Sequence, residues 1–157
     1  MITKTNNFFF PIFFGEKMRK ILLLLLILSF FTTQVFAVID HSEIKVLAVT
    51  SEGQGLGADL ILDTEPGTGR IWVTAEPLVG TTTQSAARSA KELAKKFSKD
   101  VDKYDYKFSI ESQASLVEGP SAGAAMALII ISTLQDKQIH SNVALTGTID
   151  QQGNVGP

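Results

Sequence analysis

The sequence predicts an α/β (α+β) domain over residues 38–157, with mixed sheets and flanking helices, on three observations. Short alternating stretches separated by Gly- and Pro-bearing turns fill residues 43–75. A helical period takes over at Thr83, and a run apolar on most sides occupies Ala124 to Leu134 before a last alternating segment.

Each element follows in order. Glu43 to Thr50 alternates around Ile44, Val46 and Ala48 and reads as a strand. Gly53-Gln54-Gly55-Leu56-Gly57 reads as a flexible turn; its spacing is not that of a dinucleotide fingerprint and no helix follows it. Ala58 to Leu62 gives a second strand. Glu65 to Gly69 is a turn into a third, Arg70 to Ala75. From Thr83 to Phe97 the residues Ala86, Ala90, Leu93, Ala94 and Phe97 share one helical face, leaving Arg88, Lys91, Lys95 and Lys99 as a solvated one. Tyr106 to Ile110 is a strand with Tyr106, Phe108 and Ile110 on one side. Gly119-Pro120-Ser121 is the turn feeding the buried helix, Asn142 to Ile149 is the next strand, and Gln151 to Asn154 is a hairpin-like turn. Because no element closes the unit after Val155-Gly156-Pro157, the domain is expected to continue beyond Pro157.

Charge is unevenly distributed. The 157 residues carry a net charge of −2, but residues 1–37 hold four bases and one acid, which leaves −5 on residues 38–157. An acidic remainder argues against general nucleic-acid binding, which needs basic surface to neutralise phosphates. The chain has no cysteine, so disulfides, a thiol nucleophile and thiolate metal sites are out. With only His41 and His140, a histidine-rich metal cluster is excluded too, and no cofactor is expected.

Residues 1–37 read as an address. Lys17, Arg19 and Lys20 precede the apolar run Ile21 to Leu28, and Val35-Phe36-Ala37 puts small residues at −3 and −1 of a break after Ala37, the pattern of a signal peptide. Met18 stands where such a peptide normally begins, so either Met1 or Met18 could be the true start. The rival is an uncleaved anchor: Ile21 to Ile39 would suffice to cross about 30 Å of hydrocarbon. Either way the domain is expected outside the cytoplasm, secreted or held to the membrane through residues 21–39 alone.

A buried helix N-terminus presents unpaired N–H groups and a partial positive charge. At Ser121 these could stabilise an oxyanion formed when the hydroxyl attacks a carbonyl, or a bound phosphate; Ser121 could also simply cap the helix. A serine nucleophile needs a base. Neither His41 nor His140 has a spacing that recommends it, and no Gly-x-Ser-x-Gly elbow is present.

Glu118-Gly119-Pro120-Ser121-Ala122-Gly123, followed by Ala124-Ala125-Met126-Ala127, resembles the nucleophile motif of the Lon protease proteolytic domain. Val143 to Ile149 resembles that family's next strand, and Gly153 to Pro157 the start of the segment delivering its catalytic lysine, at the family's spacing. Gly69 to Val73 and the helix around Ser85-Ala86-Ala87 fit more loosely. The resemblance implies a Lon-like proteolytic fold over 38–157 and a serine endopeptidase in which Ser121 is the nucleophile and a lysine the base. It further implies that Thr146 orients the lysine, that Glu118 supports or gates the site, and that backbone N–H groups around Gly119, Pro120, Ser121 and Ala122 form the oxyanion hole. The lysine would lie roughly seven residues beyond Pro157, so residues 1–157 by themselves are expected to be inactive. Lon proteases carry an ATPase module, and no Gly-x-x-x-x-Gly-Lys-Ser/Thr loop occurs in this sequence, so activity is expected to be ATP-independent, on unfolded or flexible polypeptides. Ring-shaped homo-oligomers are implied as well. Two other readings stand beside this one: an inactive Lon-like binding or assembly domain, and a small-molecule kinase-like domain holding phosphate on the Gly119–Gly123 loop.

Overall fold

A computed structural model describes residues 15–30, 40–49, 53–76, 78–150 and 152–157, with the side chains of 25–30 excepted. The chain divides into two units, residues 1–36 and 37–157. In the first, Glu16–Phe30 forms helix α1, with Lys20 3.9 Å from Glu16 one turn away. Among the described residues no helix is long and apolar enough to cross a membrane. The expected cleavage site after Ala37 and the far end of the alternative anchor lie outside the described residues.

The second unit is built on alternation. Strands β1 (Asp40–Val49), β2 (Gly55–Pro66), β3 (Ile71–Glu76) and β4 (Tyr104–Glu111) join with a short β5 (Ala144–Leu145) in one sheet, ordered β3-β4-β2-β1-β5. β1–β2 and β2–β4 are antiparallel, while β3–β4 and β1–β5 are parallel. The parallel β3–β4 pair requires a crossover, and helix α2 (Thr81–Ala94) supplies it. Period-two alternation sends complete cross-strand rows to one face: Ile44, Leu60, Ile110 and Ala75 form one row, and Leu62, Phe108 and Val73 the next. Leu60, Leu62, Phe108 and Ile110 are all buried against the helices. The opposite face carries polar rows, in which Lys45 pairs with Asp59, His41 with Asp63 at 2.8 Å, and Lys107 lies 5.9 Å from the Trp72 ring centre.

Helix α3 (Gly123–Leu134) packs on α2 through small side chains: Ala86, Ala87 and Ala90 meet a helix whose first turns are Gly123, Ala124, Ala125 and Ala127, all buried. Two short strands, β6 (Thr148–Ile149) and β7 (Val155–Gly156), make an antiparallel pair. Asp150 closes the turn between them by accepting the Asn154 N–H at 2.8 Å.

Several expectations are corrected. Gly55 to Gly57 are not in a turn: they extend β2 and pair with Val49, Ala48 and Leu47, because β1 offers backbone partners that outweigh the low strand preference of glycine. Phe97 is not on the buried face. The helix ends at Ala94 and tightens, with Lys96 N–H on the Leu93 carbonyl and Phe97 N–H on that of Ala94, which turns the Phe97 ring to solvent. Lys91 does not belong to the solvated face; its ammonium donates to the Gly69 carbonyl at 2.6 Å and sits 2.9 Å from Asp102. The strand expected over Asn142 to Ile149 is broken at Thr146-Gly147, whose backbone bonds to the start of α3 instead.

Asp105 ties the β2–β3 turn to β4. Its buried carboxylate accepts the N–H groups of Thr68 and Arg70 through one oxygen, each at 2.8 Å. The hydrogen bond from the Arg70 backbone, then that from Thr68, holds the carboxyl below the usual carboxylate range. A pKa depressed by folding contributes stability that is fully present above the unfolded value and lost as pH falls through the folded one. We therefore expect Asp105→Asn, which keeps the accepting oxygen but not the charge, to flatten the loss of stability below about pH 4. Urea midpoints taken from pH 6 down to pH 2.5 would check this. Identical slopes in both proteins would assign the acid limb to other groups.

Candidate active site

The segment that carries Ser121 is gripped from two sides. On one side lies the first turn of α2, capped from outside. Gly80, at its N-cap, has no side chain to offer, and the Glu118 carboxylate takes that place by accepting the Thr82 N–H at 3.1 Å and the Thr82 hydroxyl. A backbone bridge fixes the approach: Val117 N–H donates to the Leu78 carbonyl, and Gly80 N–H to that of Val117, both at 2.9 Å. Beyond it the chain turns at Gly119 with φ of +121°, a conformation that side chains disfavour. Glu118 is thus exposed and committed to α2.

On the other side lies Thr146-Gly147. The Ser121 carbonyl accepts the Gly147 N–H at 2.7 Å and the Thr146 hydroxyl at 3.4 Å, and the Gly147 carbonyl accepts the Ala124 N–H at 2.9 Å. One orphan donor of α3 is satisfied in this way and a second, Gly123 N–H, by the Pro120 carbonyl at 3.0 Å. Ser121 is not the cap. Ala122 holds the N-cap position, and no side chain caps α3. The serine is half-buried and opens on a cleft of about 410 Å³ whose walls include Leu47, Val49, Leu56, Ile110 and Leu116.

The four backbone positions expected to bind an oxyanion are not equivalent. Pro120 has no N–H, and the Gly119 N–H donates to the Thr82 hydroxyl at 2.9 Å. Among the described residues the N–H groups of Ser121 and Ala122 have no backbone acceptor. His41 and His140 line a different depression, with Thr133 and Asp136, and not the cleft of Ser121.

Sequence reasoning brought Ser121, Thr146, Glu118 and the 119–122 backbone to one place. It missed Gly147, Thr82 and Thr83. Three threonines in succession ahead of an amphipathic helix are the signal available for the last two. For Gly147 the requirement is space. A Cβ there would lie 3.1 Å from the Gly156 carbonyl oxygen and 3.3 Å from the Ala124 Cβ, at a φ of +155°. Gly147→Ala is expected to cost about 1–3 kcal/mol, read as a lowered urea midpoint. An unchanged midpoint would mean that β7 shifts freely away from α3.

A serine-bearing turn leads into a buried helix that packs in a mixed-sheet α/β domain. Comparison with known proteins makes this specific: residues 44–157 match the model of the Lon protease (S16) C-terminal proteolytic domain, and the chain belongs to that family, whose general property is a Ser–Lys dyad. It is 30% identical over 118 residues to a Lon protease of Lachnoclostridium phytofermentans, covering 71% of this chain and 14% of the relative. Lon protease 1 of Syntrophobacter fumaroxidans is 30% identical over 132 residues, 78% of this chain and 16% of the relative. The archaeal Lon protease of Methanothermobacter thermautotrophicus is 28% identical over 119 residues, 73% of this chain and 18% of its own length. The chain thus spans less than a fifth of these relatives.

Proposed function

We propose that this chain is the proteolytic part of a Lon-type serine endopeptidase that cleaves unfolded or flexible polypeptides without ATP. One observation carries the reading: Ser121, in a turn that resembles the family's nucleophile motif, opens on a cleft, and among the described residues its own N–H and that of Ala122 have no backbone acceptor. Ser121 is the nucleophile. The base is a lysine delivered by residues following Pro157. For that amine to accept a proton near neutrality its pKa must fall, through desolvation or neighbouring charge.

In acylation the Ser121 oxygen adds to the substrate carbonyl as its proton passes to the lysine, and the carbonyl oxygen, now negative, is met by the Ser121 and Ala122 N–H groups. The lysine then protonates the leaving amine, and water later releases the acyl group by the same route. Thr146, whose hydroxyl donates to the Ser121 carbonyl, is the residue proposed to orient the lysine. Glu118 supports from a distance by fixing α2 against the turn. ATP independence is part of the proposal, and an assay without nucleotide tests it directly. Action outside the cytoplasm is supported by the signal-like pattern before Ala37.

The test is peptide release from casein by the full-length protein, without nucleotide. Steady release supports the reading. Release only with ATP removes the energy-independent part, and no release from a folded, oligomeric protein favours a binding or assembly domain.

A further inference from the structure

We propose that Thr82 and Thr83 are positioning residues that aim the Ser121 turn, a role that rests on the peptidase reading of this site. The two hydroxyls hold the peptide groups on both sides of Gly119. Thr82 Oγ1 accepts the Gly119 N–H at 2.9 Å, and Thr83 Oγ1 donates to the Gly119 carbonyl at 3.1 Å. With both flanking peptide planes fixed, φ and ψ of Gly119 are fixed, although glycine by itself would range widely. The next residue is Pro120, whose ring sets its own φ. The path from α2 to Ser121 therefore has little torsional freedom left.

The hydrogen bonds have a defined direction. Thr82 gives its single proton to Glu118, which leaves its oxygen free to accept from Gly119. Thr83 is 1% exposed, so its hydroxyl has no water to turn to, and the Gly119 carbonyl is its partner. On the far side Gly147 holds the Ser121 carbonyl at 2.7 Å. The turn that carries the serine is thus clamped between two elements.

The experiment measures phosphonylation of the full-length protein by a fluorophosphonate, in the wild type and in Thr82→Val, Thr83→Val, Thr82→Ser and Thr83→Ser, at a temperature where each is fully folded. Two quantities are separated, the second-order rate constant per reactive site and the fraction of sites that react. A misaimed serine lowers the rate constant, whereas partial unfolding lowers the reactive fraction. The valine variants are expected to react about 10–100-fold more slowly at unchanged fraction. The serine variants, which keep the hydroxyl, are expected to stay within about threefold of the wild type. Unchanged rate constants in both valine variants, or a loss confined to the reactive fraction, would overturn the role. A wild type that does not react at all would overturn the peptidase reading itself, and the positioning role with it, so the two failures are told apart.

Discussion

Replacing Ser121 by alanine in the full-length protein is expected to abolish peptide release from casein, by at least about 10³-fold in kcat. The fold should be indifferent. Ala122 is already the N-cap of α3, so no capping bond disappears, and the two bonds that anchor the turn on this side are accepted by the Ser121 carbonyl, which alanine retains. Stability is expected within about 0.5 kcal/mol of the wild type. The pairing of the two readouts carries the weight. A serine that served the helix would show the reverse pattern, with about 1 kcal/mol lost and turnover retained. Casein release and urea midpoints measured on the same preparations decide between these patterns.

The second large effect lies in the core. Phe108 is 1% exposed, on β4, in register with Leu62 on one neighbour and Val73 on the other. Truncation to alanine removes a ring from the face that α2 and α3 cover, and neighbouring strands cannot close the gap without breaking their ladders. The expected cost is about 3–5 kcal/mol, a large part of the roughly 5–15 kcal/mol that holds a domain together. The urea midpoint should fall steeply, with the transition still cooperative. A loss below about 1 kcal/mol would show that the sheet relaxes into the space.

Much of this architecture was legible because burial writes a period into sequence. The inward rows of the sheet were visible as Ile44 and Val46, then Leu60 and Leu62, then Tyr106, Phe108 and Ile110. The all-round apolar character of α3 announced a helix packed on most sides, and Leu128 is its one exposed large residue. What failed depends on partners distant in sequence. Gly55 to Gly57 extend a strand because β1 lies alongside, a fact absent from the local composition. Lys91 is drawn inward by a carbonyl and a carboxylate that arrive from two different loops. The break at Thr146-Gly147 exists because α3 needs acceptors at its N-terminus, and no alternation pattern encodes that need.

The site divides the same way. Ser121 and its small neighbours were visible through a contiguous motif, and Thr146 through the family's spacing. The grip on Gly119 was not, because Thr82 and Thr83 are more than thirty residues upstream and meet the turn only when α2 docks. Glu118 shows the limit of motif reasoning from the other direction. Its position in the motif suggested support or gating of the cleft, but not that its carboxylate would reach Thr82 at the start of α2.

The most direct test of the central claim is to locate the adduct after the full-length protein reacts with a fluorophosphonate. Tryptic cleavage yields one peptide running from Phe108 to Lys137, which contains Ser109, Ser112, Ser115, Ser121 and Ser132. Fragmentation of that peptide distinguishes the five. A single adduct on Ser121, absent after denaturation, is the predicted result. An adduct on any of the other four, or none on a protein shown to be folded, would contradict the assignment of Ser121 as the nucleophile.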